Sequence, residues 1–230
     1  MAFPSSFDLS TLDGSNGFVI NGFDAGGNSG TSVSSAGDVN GDGFDDIIIG
    51  ADGPQSGDGN FVGESYVVFG SSSGFTASLD LSNLNGSNGF VLKGIKGFDR
   101  SGSSVSSAGD VNGDGFDDLI IGANGADPNG SASGESYVVF GSSSGFTASL
   151  DLSTLNGSNG FVLNGIDTSD ESGISVSSAG DVNGDGFDDL IIGANGADPN
   201  GNGQAGESYE VFGSGSGFTA SLDLSTLNGS

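Results

Sequence analysis

The stretch SSAGDVNGDGFDDLIIGA, at Ser106–Ala123, decides the fold, because it joins an acidic loop to a short apolar run and recurs almost unchanged. Its other copies lie at 34–51 and 177–194, so the spacings between copies are 72 and 71 residues. Self-similarity at a fixed period indicates one structural unit used repeatedly. We therefore expect one repeat domain over 1–230, with repeats at about 16–87, 88–158 and 159–230.

Short apolar runs separated by Gly, Ser, Asn and Asp predict strands, and no stretch keeps a helical period. In the second copy the four expected strands are Gly89–Ile95, Ser103–Val111, Asp118–Ala123 and Glu135–Gly141. Four-stranded antiparallel sheets repeated around an axis are the blades of a β-propeller. The predicted fold class is therefore all-β, with three β-propeller blades of four antiparallel strands. We interpret the linker SSSGFTASLDLSTLNGSN as an ordered loop with one short turn that covers a blade edge.

Each copy contains a loop that reads D-x-N-x-D-G-x-D-D, and we call these acidic loop 1 (38–46), acidic loop 2 (110–118) and acidic loop 3 (181–189). Side-chain oxygens at positions 1, 3, 5 and 9, with a backbone carbonyl at position 7, suit calcium, which takes 6 to 8 oxygen ligands. A solvated turn without metal is the alternative, and the threefold repetition argues against it. An EF-hand would need a carboxylate at position 12, where this chain has Ile49, Ile121 and Ile192.

The composition excludes several functions. The chain carries 30 acidic and 3 basic residues, a net charge of −27, so nucleic acid and membrane insertion are improbable partners. It has neither His nor Cys, which excludes a Ser-His or Cys-His nucleophile and a typical zinc site. We predict that the protein is not an enzyme, since every carboxylate cluster belongs to a repeated loop.

The segment SSAGDVNGDGFDDLIIGA followed by SYVVFG resembles the FG-GAP repeat, the blade unit of integrin alpha propellers. The resemblance implies that the GFVLKGI-like strand is the outermost strand of the preceding blade. It also implies three calcium sites, whose ligands would be Asp38, Asn40, Asp42, the Phe44 carbonyl and Asp46; Asp110, Asn112, Asp114, the Phe116 carbonyl and Asp118; and Asp181, Asn183, Asp185, the Phe187 carbonyl and Asp189.

The resemblance implies a non-enzymatic, calcium-binding propeller module for adhesion or assembly, extracellular or at the cell surface. The N-terminal residues show no conventional signal peptide, and a cytoplasmic location stays open. A carbohydrate-binding, lectin-like propeller and a structural filament or assembly protein are the alternatives. A protein or a glycan is the expected kind of ligand.

Three blades are too few to close a ring, so we expect self-association. Two chains would give a six-bladed ring, and an open head-to-tail contact would give a filament. The DLSTL segment occurs near both ends, which would be redundant in a closed ring and would also suit a piece of a longer propeller.

Several repeated acidic residues lie outside the predicted ligand set. Asp45, Asp117 and Asp188, at loop position 8, are expected to point away from the ion as outer or surface groups. The glutamates that begin the fourth expected strand of each copy are interpreted as strand-end residues. Glu210 replaces the valine of the other copies, and we expect it on an exposed or paired face of the last blade, because a buried unpaired carboxylate is costly.

Overall fold

The structure, a computed structural model, describes residues 6–53 and 61–227 of the chain. These residues form fifteen β-strands in four sheets, connected by turns and short 3-10 helices. Within the same ranges no helix is long and apolar enough to cross a membrane. The prediction of an all-β fold is confirmed.

Two sheets share one five-stranded plan. Sheet 1 contains β2 Ser32–Gly37, β3 Asp46–Ala51, β4 Glu64–Val68, β6 Gly89–Lys93 and β10 Ser149–Asp151. Sheet 2 contains β7 Ser104–Gly109, β8 Asp118–Ala123, β9 Glu135–Val139, β11 Gly160–Asn164 and β15 Ser221–Asp223. In each sheet the first four strands are antiparallel neighbours in that order, and the fifth joins the outer edge in parallel.

The two ends of the described chain carry incomplete versions of this plan. Sheet 3 contains only β12 Ser175–Gly180, β13 Asp189–Ala194 and β14 Glu207–Val211. At the other end, β1 Val19–Asn21 pairs in parallel with β5 Ser78–Asp80. Each complete sheet thus takes its fourth strand from the start of the next repeat, which is the strand order implied by the resemblance.

The linker between repeats is more regular than the sequence indicated. Ser149–Asp151 is the strand β10, which pairs with β6, so the expectation of a loop with one turn is wrong for these residues. A 3-10 turn follows at Leu152–Thr154, and Asp151 accepts a hydrogen bond from the Ser153 N–H at 2.9 Å. Leu152 and Leu155 are buried, so the linker does cover a sheet edge as expected.

The apolar core lies between the sheets. Ile48 and Phe90 of sheet 1 share one cluster with Leu119 and Ile121 of sheet 2. Because successive side chains of a strand point to opposite faces, Ile120 belongs to the cluster between sheets 2 and 3. Every residue of β8 is buried, because this strand lies between two packed sheets.

The strands of small residues lie side by side at the inner edges of the sheets. Ser32 Oγ of β2 accepts a hydrogen bond from the Val105 N–H of β7 at 3.0 Å. Ser104 Oγ of β7 accepts one from the Val176 N–H of β12 at 3.1 Å. Small side chains permit this close approach of the SVSSAG strands. The acidic loops leave these strands on one side of the molecule.

Candidate metal centres in the acidic loops

Each acidic loop connects an inner strand to the next strand of its sheet, and acidic loop 2 shows the common geometry. Gly113 and Gly115 have φ of 76° and 88°, the left-handed conformation that favours glycine, so glycine permits the sharp turn of the loop. The Asp110 carboxylate accepts main-chain N–H groups of Gly113, Asp114 and Gly115 at 2.7, 3.1 and 2.9 Å. These bonds fold the loop around its first aspartate.

The side chains at positions 3 and 5 contact each other. Asn112 Oδ1 accepts a hydrogen bond from the Asp114 N–H at 2.8 Å, and its Nδ2 donates to Asp114 Oδ2 at 3.1 Å. Asp114 Oδ1 accepts the Phe116 N–H at 3.0 Å. Acidic loops 1 and 3 repeat these three contacts. The structure therefore brings together the predicted ligands at positions 1, 3 and 5.

The position-9 aspartate is buried at the base of each loop. Asp118 Oδ1 accepts the Gly141 N–H at 2.9 Å and Oδ2 accepts the Val111 N–H at 3.0 Å. Burial raises the pKa of Asp118 to about 8, because the two hydrogen bonds only partly offset it and the charges of Asp114 and Asp110 add to it. In acidic loop 1, burial likewise raises the pKa of Asp46 to about 6.

These loops have the donor chemistry that calcium requires, and their carboxylates accept hydrogen bonds from the loop main chain. Across 6–53 and 61–227 no three acidic side chains already converge closely enough to hold a metal ion. All candidate donors are oxygens, and a carboxylate oxygen that accepts one hydrogen bond keeps a second lone pair. A dication would also offset the burial and mutual repulsion that raise the Asp118 pKa. The donor set therefore fits calcium, and the fifteen ligand assignments stay predictions.

The aspartates at position 8 connect neighbouring loops, a role that sequence reasoning missed. Asp117 Oδ2 accepts the Asp38 N–H of the preceding loop at 2.8 Å, and Asp188 Oδ2 accepts the Asp110 N–H at 2.9 Å. A Cβ at Gly37 would overlap the Asp117 carboxylate, so glycine makes room for this contact. The Gly-Asp pair that precedes or opens each loop in all three repeats was the sequence signal that could have indicated this close contact.

The phenylalanine at position 7 also acts on the loop before it. The Phe116 ring lies over Gly41 of acidic loop 1, and the Phe187 ring lies over Gly113 of acidic loop 2. A side chain at either glycine would overlap the ring. Acidic loops 1 and 2 are therefore each packed and hydrogen-bonded by the loop that follows them.

Other charged residues have structural partners. Glu64, Glu135 and Glu207 each accept the hydroxyl of the tyrosine two residues later, at 2.8, 2.6 and 2.6 Å, which agrees with their interpretation as strand-end residues. The Arg100 guanidinium binds the buried Asp52 carboxylate at 2.6 Å.

With this geometry established, comparison with known proteins gives the family. The FG-GAP repeat family matches residues 29–68, 101–139 and 172–211, more than half of the chain. The matches end with β4, β9 and β14, so each covers the inner three strands of one sheet together with its acidic loop. The chain belongs to the FG-GAP repeat family.

Three curated proteins illustrate its relatives. Integrin alpha-5 of Xenopus laevis is 33% identical over 172 residues, which cover 71% of this chain and 14% of that protein. Integrin alpha-4 of Xenopus laevis is 30% identical over 159 residues, covering 69% and 14%. Phosphatidylinositol-glycan-specific phospholipase D of Bos taurus is 33% identical over 158 residues, covering 68% and 17%. The chain thus spans about a seventh of the length of these relatives.

Proposed function

We propose that the chain is a calcium-stabilised β-propeller module without catalytic activity, used for adhesion or assembly outside the cell or at its surface. The observation that carries this proposal is one oxygen-only loop present three times, each with a buried carboxylate at its base. FG-GAP membership and the likeness to integrin alpha subunits support the adhesion role. Loops of this kind need only modest affinity, since extracellular modules bind calcium at about 10⁻⁴–10⁻³ M.

The tyrosines favour this role over glycan binding. A sugar site usually needs exposed aromatic faces, and the chain contains 3 Tyr and no Trp. Tyr66 and Tyr137 are buried, and the hydroxyl of Tyr209 donates to Glu207. These tyrosines therefore stabilise the strands instead of presenting flat surfaces to a ligand.

The acidic residues favour a structural role over catalysis. The chain lacks His and Cys, and Asp46 and Asp118, whose pKa values burial raises, lie at equivalent positions of repeated loops. A catalytic centre usually depends on a unique constellation, whereas these groups recur with the repeat. The match to the relative named as a phospholipase D covers only 17% of that protein.

Calorimetry on the 230-residue chain tests the metal assignment. We expect the melting temperature to rise on adding calcium and to fall with a chelator, because each filled site stabilises the folded state by about 2.7 kcal/mol at a hundredfold excess over its dissociation constant. Titration calorimetry should find three sites, and Asp114→Ala should leave two. Asp45→Ala is the matched control, since it removes the same charge from an acidic loop at a position that is not a predicted ligand.

Two results would overturn the proposal. The first is a melting temperature that is the same in excess calcium and in excess chelator, with no heat of binding. The second is an equal loss of calcium binding in Asp114→Ala and Asp45→Ala, which would indicate a diffuse charge effect. Magnesium serves as the ion control, because its tighter octahedral demand fits this donor set less well.

A further inference from the structure

The outer face of sheet 3 exposes residues that are buried in the other sheets. Val182, Ile191 and Phe212 are 59%, 42% and 45% exposed. Their counterparts at the other two positions of the repeat are buried: Val39, Ile48 and Phe69 against sheet 2, and Val111, Ile120 and Phe140 against sheet 3. We call this surface of sheet 3 the last face. Its residues are those that elsewhere in the chain pack against a following sheet.

A repeated aromatic cluster is divided between the two ends of the chain. Phe69, Phe90 and Phe146 form one cluster, with Phe90 and Phe146 stacked at 4.2 Å. Phe140, Phe161 and Phe218 form the equivalent cluster one repeat later. At the start of the chain Phe18 stacks on Phe75 at 4.1 Å in the same way. Among the residues that the structure describes, this pair lacks the third ring that Phe69 and Phe140 supply to the other two clusters. Phe212, on the last face, is the equivalent phenylalanine of the third repeat.

The contacts between acidic loops are divided in the same manner. Acidic loop 3 presents Gly180 and Gly184 to open space, with no atom of the described part of the chain within 4 Å of a Cβ at either position. In loops 1 and 2 the corresponding glycines lie under the aspartate and phenylalanine of the following loop. At the other end of the chain, Phe44 and Asp45 of acidic loop 1 are exposed. The two halves of this contact are thus present, apart from each other, in one chain.

The strand edges are complementary as well. Among the described residues β14 pairs only with β13, whereas β4 and β9 each have two antiparallel neighbours. Within residues 6–53 and 61–227 the strand β1, which corresponds to β6 and β11, pairs only with β5. In the complete sheets Tyr66 pairs with Val91 and Tyr137 with Val162, so the same register would place Tyr209 opposite Val19.

We propose that the last face binds the opposite end of a second copy of this chain, through β1 and through Phe44 and Asp45 of acidic loop 1. The second copy is the occupant that these features select, because the chain already makes the same contact twice internally with the same residues. The contact is head-to-tail: β1 of one copy adds to β14 of the next, and Asp45 accepts the Asp181 N–H.

One residue weakens this contact. Glu210 pairs with Ile191 in the ladder and stands where Val67 and Val138 are fully buried. It is exposed in sheet 3, which confirms the expectation from the sequence. A second copy that covers the last face would bury this carboxylate among apolar groups, at a cost unless it finds a partner. Association is therefore reversible and depends on concentration.

Analytical ultracentrifugation of the 230-residue chain over a wide concentration range, in calcium, tests the proposal. We expect the mass to rise from 22.4 kDa toward twice that value for a closed pair, or beyond it for an open row. Glu210→Val should tighten association by about tenfold or more, since it restores the residue of the internal faces. Phe44→Ser and Phe212→Ser should each weaken it, and Phe98→Ser, at an exposed phenylalanine outside both end faces, should not.

Mixing the two weakened variants separates a head-to-tail contact from a symmetric one. Phe44→Ser keeps the last face intact, and Phe212→Ser keeps the opposite surface, formed by β1, Phe44 and Asp45, intact. The mixture should therefore associate more strongly than either variant alone. Monomers at every concentration for both the wild-type chain and Glu210→Val would overturn the proposal, as would unchanged association in both serine variants. Calcium-dependent melting, measured on the same samples, reports on the metal proposal independently.

Discussion

The hydrogen bond between Asp117 and the Asp38 N–H predicts a measurable link between neighbouring sheets. Asp117→Ala removes an ionised acceptor at 2.8 Å and leaves the Asp38 N–H without it. A hydrogen bond to a charged group contributes about 1.5–3 kcal/mol. Because Asp117 is only half-buried, we expect a loss at the lower end, about 1.5 kcal/mol in the free energy of unfolding. For a chain of this size that corresponds to a melting temperature lower by about 3–6 °C.

The repeat supplies its own matched control. Asp45 has the same loop position and the same charge, but it lies in acidic loop 1 and is exposed. Asp45→Ala therefore changes the net charge equally without removing an intersheet bond, and we expect little effect on stability. Asp188→Ala should resemble Asp117→Ala, because Asp188 accepts the Asp110 N–H at 2.9 Å. Asp117→Asn keeps an oxygen acceptor and should recover part of the loss.

Urea unfolding followed by circular dichroism, in chelator and at dilute protein, measures these differences without contributions from metal or association. The midpoint should fall for Asp117→Ala and Asp188→Ala with an unchanged slope. If Asp117→Ala and Asp45→Ala shift the midpoint equally, the loops are not coupled by this bond and only the charge matters. Repeating the series in calcium then shows whether a filled loop compensates for the missing contact.

Two further substitutions test burial and close approach. Burial, followed by the charge of Glu135, raises the pKa of Asp99 to about 6. The unfolded chain therefore loses this proton at a lower pH than the folded chain, and the free energy of unfolding falls as the pH rises from about 4 to about 6. Asp99→Asn should raise the free energy of unfolding at pH 7 by up to about 3 kcal/mol and change it little below pH 4, measured by denaturation across pH. A Cβ at Gly122 would overlap the Gly173 carbonyl, so Gly122→Ala should cost about 3 kcal/mol in urea unfolding. Gly193→Ala, whose nearest neighbour lies at 3.6 Å, should cost little, and equal losses would contradict the packing described.

The strands were predictable because their apolar runs are long enough to show a pattern. Asp118–Ala123 has the predicted bounds, whereas the predicted strand Ser103–Val111 is shortened to Ser104–Gly109 because the loop turn begins at Asp110. The strand Ser149–Asp151 was missed. Its three residues carry no periodicity, and it exists through its parallel pairing with β6. Such a strand is a product of tertiary structure rather than of local sequence.

The candidate site divides in a similar way. Spacing alone indicated that Asp110, Asn112 and Asp114 would meet, because residues this close in one glycine-containing turn must lie near one another. The contact between Asp117 and Asp38 joins residues 79 positions apart, so the pattern within one loop could not show it. Comparing the loops with one another identifies the repeated aspartate, but only the stacking of sheets shows which N–H group it reaches.

The repeat makes an internal face and an end face almost indistinguishable in sequence. Phe140 and Phe212 occupy the same position of the same strand motif, yet one is buried and the other is exposed, because only the first has a following sheet against it. Exposure at the last face is therefore a property of the neighbour and not of the residue. Glu210 is the exception, since a carboxylate at a valine position is compatible with water and costly in an apolar interface. The sequence could place Glu210 on an open face for that reason, and the same charge sets the strength with which a second copy can cover it.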